Sequence, residues 1–170
     1  MPTFTQIGTA VVVGSGGAAT IDFNSIPSTF TDLCIKLSVR NTTATTVGNV
    51  TLDMKINSLT TGYSGKQIFG SSTSVGSLNR NNIIIGTLNS ANDTANTFSN
   101  IEIYITNYTT SNQKSYSVDS VSESNTAVTE LDLLAKLNST TSAITTITFS
   151  CSFDNFAQHS TAYLYGVSNA

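Results

Sequence analysis

The sequence predicts an all-β chain folded as a single antiparallel β-sandwich of about ten strands, with a jelly roll as the arrangement that fits best. Three observations carry this. Apolar residues recur at every second position in one window after another, the period of a strand with one buried face. Clusters rich in Gly, Asn, Ser and Thr separate these windows, and such residues favour turns. Only one window has helical spacing, and it reads equally well as strand. Eight or more strands suit a jelly roll better than the seven of a minimal immunoglobulin-like sandwich. A chain of 170 residues is the size of one domain, so residues 1–170 are read as one unit.

In chain order, Phe4–Val13 and Ala18–Phe23 are candidate strands separated by the glycine-rich turn Gly14–Gly17. After the turn residues Asn24–Thr31, Leu33, Ile35, Leu37 and Val39 alternate with Asp32, Cys34, Lys36, Ser38 and Arg40. Val50, Leu52, Met54 and Ile56 repeat the pattern beyond a turn over Asn41–Asn49. Lys66–Phe69 and Asn82–Leu88 follow as weaker strands, bounded by turns over Asn57–Gly65 and Asn89–Thr97. Ile101, Ile103 and Ile105 alternate with Glu102, Tyr104 and Thr106, and Ser115–Val121 follows the turn Asn107–Asn112. Beyond Ser122–Thr126, the window Ala127–Leu137 is read as strand because its neighbours are strands and Thr129 is β-branched. After Asn138–Ser142, Ile147–Phe153 and Thr161–Val167 complete the set. The expected core is Phe23, Leu33, Ile35, Leu37, Val39, Leu52, Met54, Ile101, Ile103, Ile105, Ile147, Phe149 and Phe153. Phase places Cys34 on the solvent face and Cys151 in the core, so a mutual disulfide is not expected.

Composition narrows the function. Charged residues make up 10% of the chain, against about 25% in an ordinary soluble protein, and roughly two residues in five are Ser, Thr or Asn. A net charge of -3 and a pI near 4.8 leave too little positive charge to neutralise a run of phosphates, so nucleic acid is not an expected partner. No apolar run approaches the ~20 residues of a membrane helix, and Met1–Thr20 has no Lys or Arg for a signal peptide. No membrane partner and no Sec export are expected. Few charges also mean weakly guarded sheet edges, which points to a homo-oligomer or another covering chain.

The motifs that carry chemistry elsewhere are weak here. Gly14-Ser15-Gly16-Gly17-Ala18-Ala19 matches the dinucleotide fingerprint, but the alternating Thr20-Ile21-Asp22-Phe23 follows where that chemistry needs a helix. Gly62–Gln67 lacks the first glycine of a phosphate loop and has Gln67 where a magnesium-binding hydroxyl belongs. The lone His159 has no nucleophile elbow to serve. Asp119, Glu123, Glu130 and Asp132 are the carboxylates a glycosidase would draw on, and they are read as solvated strand and loop residues. Asn92-Asp93 and Asp154-Asn155 do not form a calcium loop. No catalytic site, metal or cofactor is therefore expected. Five N-x-[ST] matches, at Asn41, Asn49, Asn92, Asn107 and Asn138, are chance products of composition. Tyr63 and Tyr108 are the loop aromatics that would stack on a glycan or anchor an interface.

AATIDFNSIPSTFTDL at 18–33, NTFSNIEIYITNYTTSNQKSYSVDSVSESN at 96–125 and STAYLYGV at 160–167 resemble a family of small virion proteins of tailed bacteriophages, and the likeness spans nearly the whole chain. The resemblance implies a non-enzymatic structural protein of the virion, assembled in the host cytoplasm. The expected role is a capsid decoration or cement protein whose partners are the major capsid protein or other virion proteins. The alternatives are a glycan-binding tail or fibre adhesin and, behind it, a glycan depolymerase.

Overall fold

A computed structural model describes residues 1–45, 50–71, 74–123 and 129–168, and all regular structure among the described residues is β-strand. Thirteen strands form: β1 (Thr3–Gln6), β2 (Val11–Val12), β3 (Thr20–Phe23), β4 (Asp32–Val39), β5 (Val50–Ile56), β6 (Tyr63–Ser71), β7 (Ser74–Asn79), β8 (Ile84–Leu88), β9 (Ser99–Ile105), β10 (Lys114–Glu123), β11 (Thr129–Asn138), β12 (Ile147–Cys151) and β13 (Thr161–Ser168). They make two antiparallel sheets. The larger runs β1-β13-β4-β9-β10-β11-β6-β7, with β2 also paired to β13, and the smaller runs β3-β12-β5-β8.

The core lies where period-two alternation brings two apolar faces together. In the large sheet Leu33, Ile35 and Leu37 of β4 stand opposite Ile105, Ile103 and Ile101 of β9. In the small sheet Phe149 of β12 lies between Ile21 of β3 and Met54 of β5. These side chains are buried in one cluster with Val118, Ala162 and Leu164, and Phe149 meets Phe23 edge to face at 6.4 Å between ring centroids. Twelve of the thirteen expected core residues are in it. Phe153 is the exception, at 59% exposed. The strand stops at Cys151, Ser152 donates its N–H to the Thr51 carbonyl, and Asp154 takes a positive φ, so the chain has left the sheet before Phe153.

Three further expectations are corrected. Among the described residues the strands number thirteen, against about ten expected, because the segment from Phe4 to Val13 splits at Gly8 into β1 and β2, and because β7 has too little apolar alternation to signal itself. Cys34 is buried instead of solvated: register sets it between Tyr104 and Tyr165, two side chains long enough to cover a thiol. Cys151 is half-buried at the end of its strand. Both thiols are free, and they belong to different sheets. The expected turns over 41–49 and 122–126, with Ala127 and Val128, fall partly or wholly outside the described residues.

A small sheet cannot cover a large one. β8 is the last strand of the small sheet and packs on β10 and β11, and β6 and β7 extend beyond it. There the pattern inverts. On the side facing the body of the protein, Gln67, Asp132, Lys136 and Asn138 are buried, whereas Ile68, Leu131 and Leu133 point outward.

Candidate functional site

The outer face of the large sheet is the candidate interaction face. Cross-strand register sets its side chains in rows. One row crosses Ile68, Leu133, Asp119, Glu102, Lys36 and Tyr163 from β6 to β13. The next crosses Lys66, Ala135, Ser117, Tyr104, Cys34 and Tyr165. The face is apolar toward β7, charged in the middle and aromatic toward β13, where Tyr163 and Tyr165 stack at 6.5 Å.

Ser117 is small and stands between Tyr104 and Ala135, so the face dips there. Two adjoining depressions of about 410 and 470 Å³ share Tyr104, Ser117 and Ala135. A third of about 370 Å³ continues past Glu102 and Asp119 to Lys36 and Val121. Together they form a shallow, open groove across the sheet. Lys36 Nζ meets Glu102 Oε2 at 2.8 Å, and this pair raises the Lys36 pKa through the hydrogen bond and the charge. Asp119 stands directly opposite Glu102, two carboxylates on one face. The Tyr104 hydroxyl donates to Asp32 Oδ2 at 2.8 Å, and burial first, then that carboxylate, pushes its pKa up to about 12. Tyr104 is therefore a pinned ring beside the groove.

The two tyrosines singled out from the sequence are not at this face. Tyr63, at the start of β6, and Tyr108 are both buried. The Tyr63 hydroxyl accepts from the Ile56 N–H at 2.9 Å and donates to the Leu59 carbonyl at 3.2 Å. Tyr108 donates to the Pro27 carbonyl. Asn-rich loops gave no sign that their aromatics fold inward to satisfy backbone groups. Tyr108→Phe is expected to cost about 1 kcal/mol in urea unfolding and to leave any surface binding intact. An altered binding curve at unaltered stability would contradict the placement.

The candidate carboxylates separate. Asp119 is exposed on the outer face, whereas Glu130 and Asp132 point inward, and the side chain of Glu123 lies outside the described residues. Asp132 is buried instead of solvated. Its Oδ2 accepts from Thr87 N at 3.2 Å and Thr87 Oγ1 at 3.0 Å, and Gln67 donates to its other oxygen. Arg80 in turn donates to Gln67. Burial pushes the Glu130 carboxyl up against a hydrogen bond with Thr87 that lowers it, and among the described residues its Oε2 is buried without a partner.

Lys136, on the same inward side, donates to the carbonyls of Arg80 at 2.8 Å and Asn82 at 2.7 Å. Burial, with the nearby Arg80 charge, brings its pKa down to about 8. The unfolded chain holds this proton up to about 10.5, so stability rises with pH above 8. The rise is opposed from pH 9, where Cys34 and Cys151, whose thiol pKa values burial raises, begin to lose their protons first in the unfolded chain, and again near 10, where Tyr63, Tyr108 and Tyr116 do the same. Urea unfolding at pH 8 and pH 9 is expected to show this rise, and Lys136→Met to reduce it to the part left by Lys114, whose pKa burial also lowers. An equal rise in both proteins would refute the assignment to Lys136.

The remaining motifs are structural. Gly17 takes a positive φ and donates to the Gly14 carbonyl at 3.0 Å, closing a turn that leads into β3 and not a helix. Gly62 has a positive φ, and Gly65 lies in β6 against Lys136. Asp93 accepts from Ser90 N at 2.6 Å, and Asp154 from Thr43 Oγ1 at 3.0 Å, so both carboxylates lock loops. His159 is exposed, with a positive φ, beside a hollow that Arg40 also lines. Arg40 is committed to that region: its guanidinium donates to the carbonyls of Asp93, Thr94 and Thr97 at 2.8–2.9 Å. Among the described residues, no three His, Cys, Asp or Glu side chains form a metal-binding group. Burial raises both thiol pKa values, that of Cys151 to about 11.

The fold and face define a two-sheet, all-antiparallel β-sandwich with a grooved, partly apolar outer face. Compared with protein-family models, with curated proteins and with solved structures, the chain matches none.

Proposed function

We propose that this chain is a non-enzymatic structural protein of a tailed-phage virion, a decoration or cement protein that docks on the capsid through the outer face of its large sheet. The observation that carries the reading is the inversion at β11 and β6. Ile68, Leu131 and Leu133 are 58%, 40% and 44% exposed while Gln67, Asp132, Lys136 and Asn138 are buried on the inward side beside Leu134 and Tyr63. A sheet face that turns leucine and isoleucine to water gains free energy when another protein covers it. The low charge of the chain, the hydroxyl-rich remainder of the surface and the three segments that resemble phage virion proteins point the same way. Quantifying the chain against the major capsid protein in purified virions tests the reading. Many copies, in a simple ratio to the capsid protein, are expected, and a few tens or fewer would defeat it.

The strand order supports a finer reading of the fold. In an eight-stranded jelly roll one sheet orders its strands first, eighth, third, sixth, and β3-β12-β5-β8 follows that order when β9, β10 and β11 together stand for the seventh strand. The large sheet then reads second, seventh, fourth, fifth as β4, the β9–β11 meander, β6 and β7, extended by β13, β1 and β2.

Glycan binding by a tail or fibre adhesin is the second reading, favoured by the groove in which Tyr104 stands near Lys66, Glu102 and Asp119. Tyr104→Ala, and not a change at Tyr63 or Tyr108, is then the variant that loses binding on a glycan array.

A further inference from the structure

We infer that the β7 edge is a self-association site, where a second copy of this chain adds its own β7 antiparallel and continues the large sheet across a two-fold axis. The inference rests on the reading above only in taking the chain for one that assembles; the pairing itself needs no particle.

Among the described residues, register shows which backbone groups of β7 have no strand partner. The Arg80 N–H donates to the Gly65 carbonyl at 2.9 Å, so 65 and 80 are a hydrogen-bonded pair. Alternation along the antiparallel ladder makes 67 with 78 and 69 with 76 the next such pairs. The N–H and C=O groups of Val75, Ser77 and Asn79 therefore point away from β6, on the side where the sheet order ends. A two-fold axis at Ser77 sets Ser77 against Ser77 and Val75 against Asn79 of the other copy. Every outward donor then meets an outward acceptor, and side chains of the same face stay on the same face.

The usual guards of an edge strand are absent from β7. SVGSLN contains no charge and no proline, and its register with β6 is unbroken. A two-fold contact brings each group close to its own copy, so a neutral strand carries no like-charge repulsion. Apolar side chains flank the seam on both faces, Val75 at 84% exposure outside and Leu78 at 43% on the other side. By contrast β3, an edge of the small sheet, carries Asp22, which accepts from Thr20 and Thr148. One strand pair buries less than a standard interface of about 1,600 Å², so the association is reversible and weak, and is strengthened where copies are held close together.

Sedimentation equilibrium on the purified chain up to roughly 1 mM, with amide hydrogen exchange at several concentrations, tests this. A monomer–dimer equilibrium is expected, with protection of the amides of Val75, Ser77 and Asn79 rising with concentration. Val75→Lys sets a cation opposite Asn79 of the second copy, on the same face as its Lys66 one strand further on, and Ser77→Pro removes an outward N–H that β6 does not use; each is expected to weaken dimerisation at least tenfold. Circular dichroism checks that both fold, and Val75→Lys decides the matter if the proline variant does not. A wild-type chain that stays monomeric throughout, or a dimer that neither change affects, overturns the inference. Either failure leaves the virion reading to the copy-number measurement.

Discussion

Phe149→Ala is expected to destabilise the fold by about 4 kcal/mol. Phe149 is fully buried in the middle of the small sheet, with β3 on one side and β5 on the other. Truncation removes the transfer free energy of a ring and leaves a cavity that strands held on both sides cannot close. It also removes the edge-to-face partner of Phe23, a contribution of about 1 kcal/mol. Urea unfolding of the variant reads the effect directly. Phe153→Ala, at a position that period-two phase also assigns to the core, is expected to change stability by less than about 0.5 kcal/mol. Equal losses at the two positions would show that β12 continues past Cys151.

Asp132→Ala is expected to cost about 3 kcal/mol, by a different mechanism. The substitution removes no large apolar volume. It leaves the Thr87 N–H and the Gln67 amide buried without their acceptor, whereas the Thr87 hydroxyl keeps Glu130, and it cuts Arg80 off from the carboxylate at the end of its chain of hydrogen bonds. Asp132→Asn keeps an acceptor oxygen and should lose about half as much. A loss under about 1 kcal/mol for the alanine variant would mean that water reaches these groups and that the inward side of β11 is not closed.

The parts of the fold that sequence reveals are those where one face is dry and the other wet. β9, β5 and the second half of β4 alternate cleanly because their inner faces meet the opposite sheet and their outer faces are open or half-open to water. Where both faces depart from that rule the pattern misleads. In β11, Leu131, Leu133, Ala135 and Leu137 alternate as a buried face would, yet they point outward, because the side of β11 that meets β8 and the core carries Asp132, Leu134, Lys136 and Asn138, a mixed row that gives no apolar signal. Cys34 sits on the predicted outer face, and its burial depends on Tyr104 and Tyr165, which are distant in sequence and adjacent only through register. β7 has few apolar residues because it is an edge exposed on both faces. The groove was illegible for the same reason. Tyr104, Ser117 and Ala135 become neighbours only once β9, β10 and β11 are paired, whereas Tyr63 and Tyr108 drew attention by standing in loop-like sequence, where their hydroxyls in fact bind buried backbone.

Docking on the particle through the outer face of the large sheet is the central claim, and co-sedimentation of purified chain with particles that lack it tests that claim most directly. Wild-type chain is expected to bind and to saturate at a ratio set by the capsid lattice. Leu133→Lys puts a charge in the middle of the proposed contact at a position that is already 44% exposed, and it should weaken binding at least tenfold while the protein remains folded. Thr148→Lys, on the opposite side of the molecule in the small sheet, should bind as wild type does. Wild-type binding by Leu133→Lys, or loss of binding by Thr148→Lys alone, would contradict the account.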